Sequence, residues 1–243
     1  MADKAEIAIL YHIFYEDSYE KVCMELAPFL LYNAQFFFNI CEETPGKKII
    51  ACSLKKYFPE CFIIYTSNKG KDIGAKLALI KLCLALNISF TYFIFLHDKK
   101  SLQALKSNTW KKDLLKIISK TNIDKILIAF KENNSNGIIG TTEYIISEPF
   151  ENGKFTGING NILSKLITKY KIQPTTYLFV AGTMFWTKAK PIMDFFKNYN
   201  PLEIRMDLED GNVLDNFNGT TTHAWERLLS WIVTNQGLTI KGI

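Results

Sequence analysis

The feature that most constrains the fold is an alternation in the first part of the chain, where short β-rich apolar runs are separated by stretches with apolar residues at helical spacing. Residues 7–14 read as a first strand. Asp17 followed by Glu20 resembles a capping box, and Val22, Leu26, Phe29 and Leu30 then recur on one helical face. Residues 35–40 and 61–66 read as the second and third strands. After Asn68-Lys69-Gly70-Lys71-Asp72 comes a helix with Ile73, Leu77, Ile80 and Leu84 on one side. Residues 90–96 form a fourth, wholly apolar run, as a parallel strand covered on both faces should be. This order predicts βαβ units: an α/β, Rossmann-type domain with a mostly parallel central sheet flanked by helices.

The second half is less regular. Residues 114–118 suggest a short helix, 123–130 a strand or a continuation of that helix, and 131–137 a polar turn. Residues 147–160 are rich in Gly and Asn and read as a loop. The apolar run 177–186 is broken at Ala181-Gly182-Thr183. A helix over 190–199, an acidic, turn-rich stretch over 203–218 and a closing helix over 222–233 complete the pattern. With no internal repeat and no linker-like segment, the 243 residues are expected to form one domain, with a regular half over about 1–130 and a less regular half over about 131–243.

Composition narrows the function classes. At 48% hydrophobic and 22% charged residues the chain can build a full core and is not of disordered type. The net charge of +5, from 29 Lys+Arg against 24 Asp+Glu, is spread along the sequence, which argues against nucleic acid as a partner. The cysteines at 23, 41, 52, 61 and 83 contain no C-x-x-C pair and read as buried thiols in a reducing cytosol. The apolar stretch 7–15 lacks the features of a signal peptide, and 88–96 is too short to span a bilayer. A cytoplasmic protein is expected, with membrane contact limited to peripheral association at the cytoplasmic face.

The chemistry gathers at strand ends. The chain has only three histidines, His12, His97 and His223, each in a polar cluster beside an apolar run. The first, third and fourth predicted strands run into His12 with Tyr15, residues 68–74, and His97 through Ser101. In an open α/β sheet, ligands bind outside the carboxyl ends of the strands, so these clusters should share one crevice. In Asn68-x-Gly70-x-Asp72-x-Gly74 the glycines allow close backbone approach, the helix start favours anions, and Asp72 can accept from base or sugar hydroxyls. The spacing matches neither the dinucleotide fingerprint nor the P-loop. On the closing helix, His223 and Glu226 lie three residues apart and can face one crevice. Glu226 is the first candidate for a general base, with Asp98 and Asp210 in reserve; the plainer alternative is a surface ion pair between Glu226 and Arg227. Thr183 and Trp186 are candidates for an acceptor wall, with Trp186 stacking on a sugar, unless that segment is simply a core strand. Trp110, Trp225 and Trp231 read as core, and Lys111-Lys112 as a solvated helix start.

The order of strand, Asn-x-Gly entry, helix, apolar strand and polar cluster resembles GT-A glycosyltransferases, in which that second strand ends in an Asp-x-Asp metal motif. Here His97-x-Lys99 stands in its place, with Asp98 between. Five pieces together resemble the rhamnan synthesis protein F family of polysaccharide glycosyltransferases: His12-x-Phe14-Tyr15, residues 68–74, Leu96-His97-Asp98-Lys99-Lys100-Ser101, residues 181–186, and Gly219-Thr220-x-x-His223-Ala224-x-Glu226-Arg227-Leu228. They occur in family order over residues 12–228. Asn218 departs from the Asp that the family favours before Gly-Thr.

The resemblance implies transfer of a sugar, rhamnose or another deoxysugar, from a nucleotide sugar to a glycan or lipid-linked polysaccharide, alone or beside partner glycosyltransferase domains. It implies donor binding by His12, Tyr15, Asn68, Gly70, Asp72, Gly74, His97, Lys99 and Lys100, acceptor binding by Thr183 and Trp186, and catalysis by Glu226, His223 and Asp98. A departing diphosphate needs a positive partner. Lys99, Lys100 or a protonated His97 would supply it without a metal, the reading favoured here. If Mn²⁺ or Mg²⁺ is used, His97, Asp98 and His223 are the ligands on offer, a set poor in carboxylate for a hard cation. The alternative function is a noncatalytic nucleotide- or glycan-binding module of the same fold. A methyltransferase is disfavoured, because no glycine-rich loop follows the first strand.

Overall fold

In the computed structural model, which describes residues 5–98, 113–215 and 218–243, the alternating runs of the first half become four parallel strands. They are β1 (Ile7–Ile13), β2 (Ala34–Cys41), β3 (Phe62–Thr66) and β4 (Tyr92–His97), joined through helices α1 (Tyr19–Leu26), α2 (Lys47–Tyr57) and α3 (Lys71–Ala85). Every residue of β1 and β4 is buried, which is why those segments read as continuous rather than alternating apolar runs. Helix α2 had no clear signal, because it buries only Ile50 and Leu54. The capping box expected at Asp17 does not form. A 3₁₀ turn over Glu16–Ser18 leads into α1, and the Ser18 hydroxyl is committed to Asp98 and to the Tyr15 carbonyl.

The second half adds α4 (Lys120–Glu132), β5 (Asn136–Gly140), the short strands β6 (Ile145–Ser147), β7 (Phe150–Glu151), β8 (Lys154–Phe155) and β9 (Leu178–Val180), and α5 (Gly160–Lys169). Then come β10 (Phe185–Lys188), α6 (Ala189–Asn198), α7 (Pro201–Met206), α8 (Thr221–Thr234) and β11 (Thr239–Gly242). Of the two readings left open for residues 123–130, the structure takes the helix, while two expectations change: the polar turn runs into strand β5, and the supposed loop 147–160 carries a β7–β8 hairpin. The turn-rich stretch also begins with a helix, α7, whose N-terminus is capped by the Asn200 side chain accepting from Leu202 N–H.

Strands from both halves join one seven-stranded sheet in the order β11-β5-β10-β4-β1-β2-β3. All pairings are parallel except those of β10, which runs antiparallel to both β4 and β5. One face packs Leu10, Phe37, Phe93 and Phe95 against Leu77 and Ile80 of α3 and Trp225 and Leu228 of α8. The other packs Ile9, Phe38 and Ile94 against Val22, Leu54, Phe130 and Trp186. Each such fully buried side chain contributes about 1.5–3 kcal/mol of transfer free energy.

Trp186 therefore does not form an acceptor wall. It is fully buried, tilted against Phe29 and edge-to-face with Tyr92, and its indole N–H donates to the Ile117 carbonyl at 3.0 Å. Trp225 and Trp231 are likewise core, whereas Trp110 and Lys111-Lys112 lie outside the described residues. Four of the five thiols are buried and Cys52 is exposed; burial pushes Cys83 up to about 12. Among the described residues no helix is long and apolar enough to cross a membrane.

Candidate active site

The carboxyl ends of β1, β3 and β4 open into a cavity of about 450 Å³, a size suited to a small polar ligand. His12, Phe14 and Tyr15 enter it from β1, Asn68, Lys71, Asp72 and Ile73 from the entry to α3, and His97 and Asp98 from β4. Gly182 and Thr183 arrive from the turn before β10, Asn212 and Leu214 from the segment before α8, and Thr222, His223 and Glu226 from α8 itself. The three strand-end clusters and the closing helix thus meet, as the position of ligand sites in α/β sheets led us to expect.

Below the cavity lies a residue that the sequence reading missed. Lys76, one turn after Asp72 on α3, is fully buried. Its ammonium donates to Asp72 Oδ2 at 2.6 Å and to Thr183 Oγ1 at 2.7 Å, and lies 3.3 Å from His97 Nδ1. Thr183 Oγ1 in turn donates to Asp72 Oδ2 at 2.5 Å. Burial pushes the Asp72 carboxyl up, but Lys76, His97 and the Thr183 hydroxyl together hold it well below the usual carboxylate range. Burial also lowers Lys76, against the pull of Asp72 and Glu226. The i, i+4 spacing of Asp72 and Lys76 was the available signal, but such pairs are common on exposed helices.

Thr183 reaches this network through an unusual backbone. The turn from β9 is closed by Thr183 N–H donating to the Val180 carbonyl, with Gly182 at φ 79° and Thr183 itself at φ 51°. A β-branched residue in the left-handed region costs on the order of 1–3 kcal/mol, offset here by the hydroxyl's bonds to Asp72 and Lys76.

His12 sits in register between Asn39 of β2 and His97 of β4. Its Nδ1 is 2.8 Å from Asn39 Oδ1, while the Asn39 amide donates to Thr66 Oγ1 at 2.9 Å. Burial lowers the His12 pKa, opposed by Asp98, Asp72 and Asn39.

Asp98 lines the cavity, and its oxygens also hold the loop that follows β1. Its carboxylate accepts from Phe14 N–H at 2.9 Å, Tyr15 N–H at 2.8 Å and the Ser18 hydroxyl at 2.5 Å, fixing the loop that carries Phe14 and Tyr15 into the cavity wall. Burial raises its pKa, and these donors together with His12 oppose the shift. The two motif glycines pack closely against the chain itself. Gly70, at φ 72°, lies under Leu208, and a side chain at Gly74 would meet the Lys69 carbonyl. Asp210 is exposed and pairs with Lys69 at 3.3 Å. Lys99 and Lys100 lie outside the described residues.

On α8, Thr220 caps the helix, accepting from His223 N–H at 3.1 Å. Glu209 accepts from Thr221 N–H at 2.6 Å and Thr222 N–H at 2.9 Å, placing negative charge at the helix start. Burial lowers the His223 pKa below the ordinary histidine value, with Asp215 pulling it up and Lys71 and Arg227 pushing it down. Glu226 accepts from Gly182 N–H at 2.6 Å through one oxygen and from Arg227 at 2.7 Å through the other. Arg227 is no surface partner: it also bonds the buried Glu148 at 2.9 Å and lies over the Phe179 ring. As a cation set, His97, Asp98 and His223 do not fit, since Asp98 is committed to the Phe14–Ser18 loop and His97 Nδ1 faces an ammonium. Among the described residues no three His, Cys, Asp or Glu form a group able to hold a metal ion.

Fold and cavity define an α/β protein with a cavity at the carboxyl ends of its parallel strands, where titratable side chains from both halves meet. The chain belongs to the rhamnan synthesis protein F family, whose model matches residues 1–238, and thereby to a glycosyltransferase family of polysaccharide biosynthesis. The crystal structure of mouse xyloside xylosyltransferase 1 in its apo form is similar at 10% identity over 98% of this chain and 85% of that one, with a TM-score of 0.32. No curated protein matches the sequence.

Proposed function

We propose that the protein transfers a sugar, rhamnose or another deoxysugar, from a nucleotide sugar to a hydroxyl of a glycan acceptor in the cytoplasm, without a metal ion. The observation that carries this reading is the cavity itself, which sets the Asp72, Lys76, Thr183 and His97 network beside His223 and Glu226 of α8. Family membership supplies the reaction class.

In the reaction, the acceptor oxygen bonds to the anomeric carbon, the bond from that carbon to the diphosphate breaks, and its electron pair leaves with the diphosphate. The acceptor proton needs a base. Glu226 was the first candidate, but both its oxygens already accept hydrogen bonds that fix it in the wall. His223, which burial favours in its neutral form, takes the proton. Glu226 orients the acceptor, and Lys71 at the cavity edge faces the departing charge.

A panel of nucleotide sugars tests the reading. One of them is expected to raise the melting temperature and, with acceptor, to release nucleoside diphosphate; at a hundred times Kd such a ligand adds about 2.7 kcal/mol. Binding with neither transfer nor hydrolysis would make the protein a noncatalytic module. No binding across the panel would defeat both readings.

A further inference from the structure

Two of the three histidines stand side by side on the cavity floor, and their partners differ in kind. His12 and His97 are register partners on adjacent parallel strands, so their side chains leave the same face of the sheet. At His12, Nδ1 faces a carboxamide oxygen, Asn39 Oδ1, whose own amide nitrogen is engaged by Thr66. An oxygen can only accept, so His12 carries its proton on Nδ1 and addresses a ligand through the lone pair of Nε2. At His97, Nδ1 faces the Lys76 ammonium at 3.3 Å. An ammonium can only donate, and the 2.6 Å contact with Asp72 marks Lys76 as charged. Asp72 Oδ2 is 3.6 Å from His97 Nδ1, beyond hydrogen-bond reach.

We infer that Lys76 is a positioning residue that holds His97 with its proton on Nε2, the opposite tautomer to His12, so that the pair offers the ligand one donor beside one acceptor. A sugar hydroxyl answers both. Adjacent strands lie about 4.8 Å apart, and a hydroxyl oxygen bonded to two nitrogens at about 2.8 Å spans about 4.6 Å between them. Lys76 does not touch the ligand; it sets which atom of His97 can. The choice of ligand group rests on the glycosyltransferase reading, whereas the tautomers do not.

Long-range ¹H–¹⁵N correlation spectra of the full chain, with only three histidines to resolve, read the tautomers without any substrate. With signals assigned from His12→Gln and His97→Gln, His97 is expected as the Nε2–H form and His12 as the Nδ1–H form at pH 7.5. Lys76→Met should move the His97 pattern toward Nδ1–H while leaving that of His12 in place. Where loss of the buried charge prevents folding, Lys76→Met with Asp72→Asn removes both charges together and should move His97 in the same direction. A His97 proton on Nδ1 in the unmodified protein overturns the inference, as does a His97 pattern unchanged in either folded variant. Where neither variant folds, the unmodified spectrum decides alone. A panel of nucleotide sugars that fails to bind would defeat the hydroxyl assignment while leaving the tautomers standing.

Discussion

A carboxylate, an imidazole and an ammonium at this site take their roles from their partners rather than from their positions in a motif. Asp98 shows the difference: in sequence it stands where a metal ligand is expected, yet its oxygens tie down Phe14, Tyr15 and Ser18. Asp98→Asn would replace an acceptor oxygen by an amide NH2 group facing buried N–H groups, and unpaired buried donors cost on the order of 1–3 kcal/mol each. We expect urea unfolding to report a loss of about 3 kcal/mol. His223→Gln should leave stability nearly unchanged and lower kcat by about 10²–10⁴-fold in steady-state transfer assays. Because the reactive form of His223 is the neutral one and burial lowers its pKa, kcat/KM should hold from pH 8 down to about 6.5 and fall only below it. Transfer should also persist in excess EDTA. Activity abolished by EDTA and restored by Mn²⁺ would defeat the metal-independent reading. The sequence made the titratable members of the cavity legible because polar residues at the ends of apolar strands are conspicuous. Lys76 was not, since a helical lysine looks solvated until the fold closes over it, and here α3 is buried continuously over residues 73–80.

Elements were legible where the apolar run or the helical pattern is long. β1 and β4 declared themselves as unbroken apolar runs, and α8 by its long helical pattern. β5 and β11 were not visible: β5 follows directly on a polar turn, and β11 alternates exposed and half-buried residues at the end of the sheet. The glycines of residues 68–74 were noticed for the right local reason and assigned the wrong neighbour, because the close approach they permit is to the chain itself. At Gly74 an added Cβ would lie 1.9 Å from the Lys69 carbonyl oxygen, which as backbone cannot move aside cheaply. Gly74→Ala should therefore shift the start of α3, lower stability by about 1–3 kcal/mol in thermal or urea unfolding, and carry Asp72 out of place.

For the whole molecule, the buried histidines set a pH dependence of stability. His12 and His223 both have folded pKa values below the ordinary value of about 6.5, so the unfolded chain binds their protons more readily. Their contribution is present above that pH and is lost as the pH falls through it. Asp98 shifts the other way and opposes the loss, whereas Asp72, held low, adds to it once the pH approaches about 4. A melting temperature that declines from pH 7.5 to 5.5, and declines less in His12→Gln, is the expected result. The general architecture could be read from the first half alone, but the position of β10 could not, since no local pattern says that a strand will run backwards between two others. That insertion gives the second half a hold over the first. β10 covers the edge of β4, every residue of which is buried, so a chain cut before β9 would present a bare, greasy row of unpaired amides and carbonyls to its neighbours. Nascent or truncated copies would then stick to one another edge to edge, making the order in which the two halves meet during synthesis a matter of solubility as well as of folding.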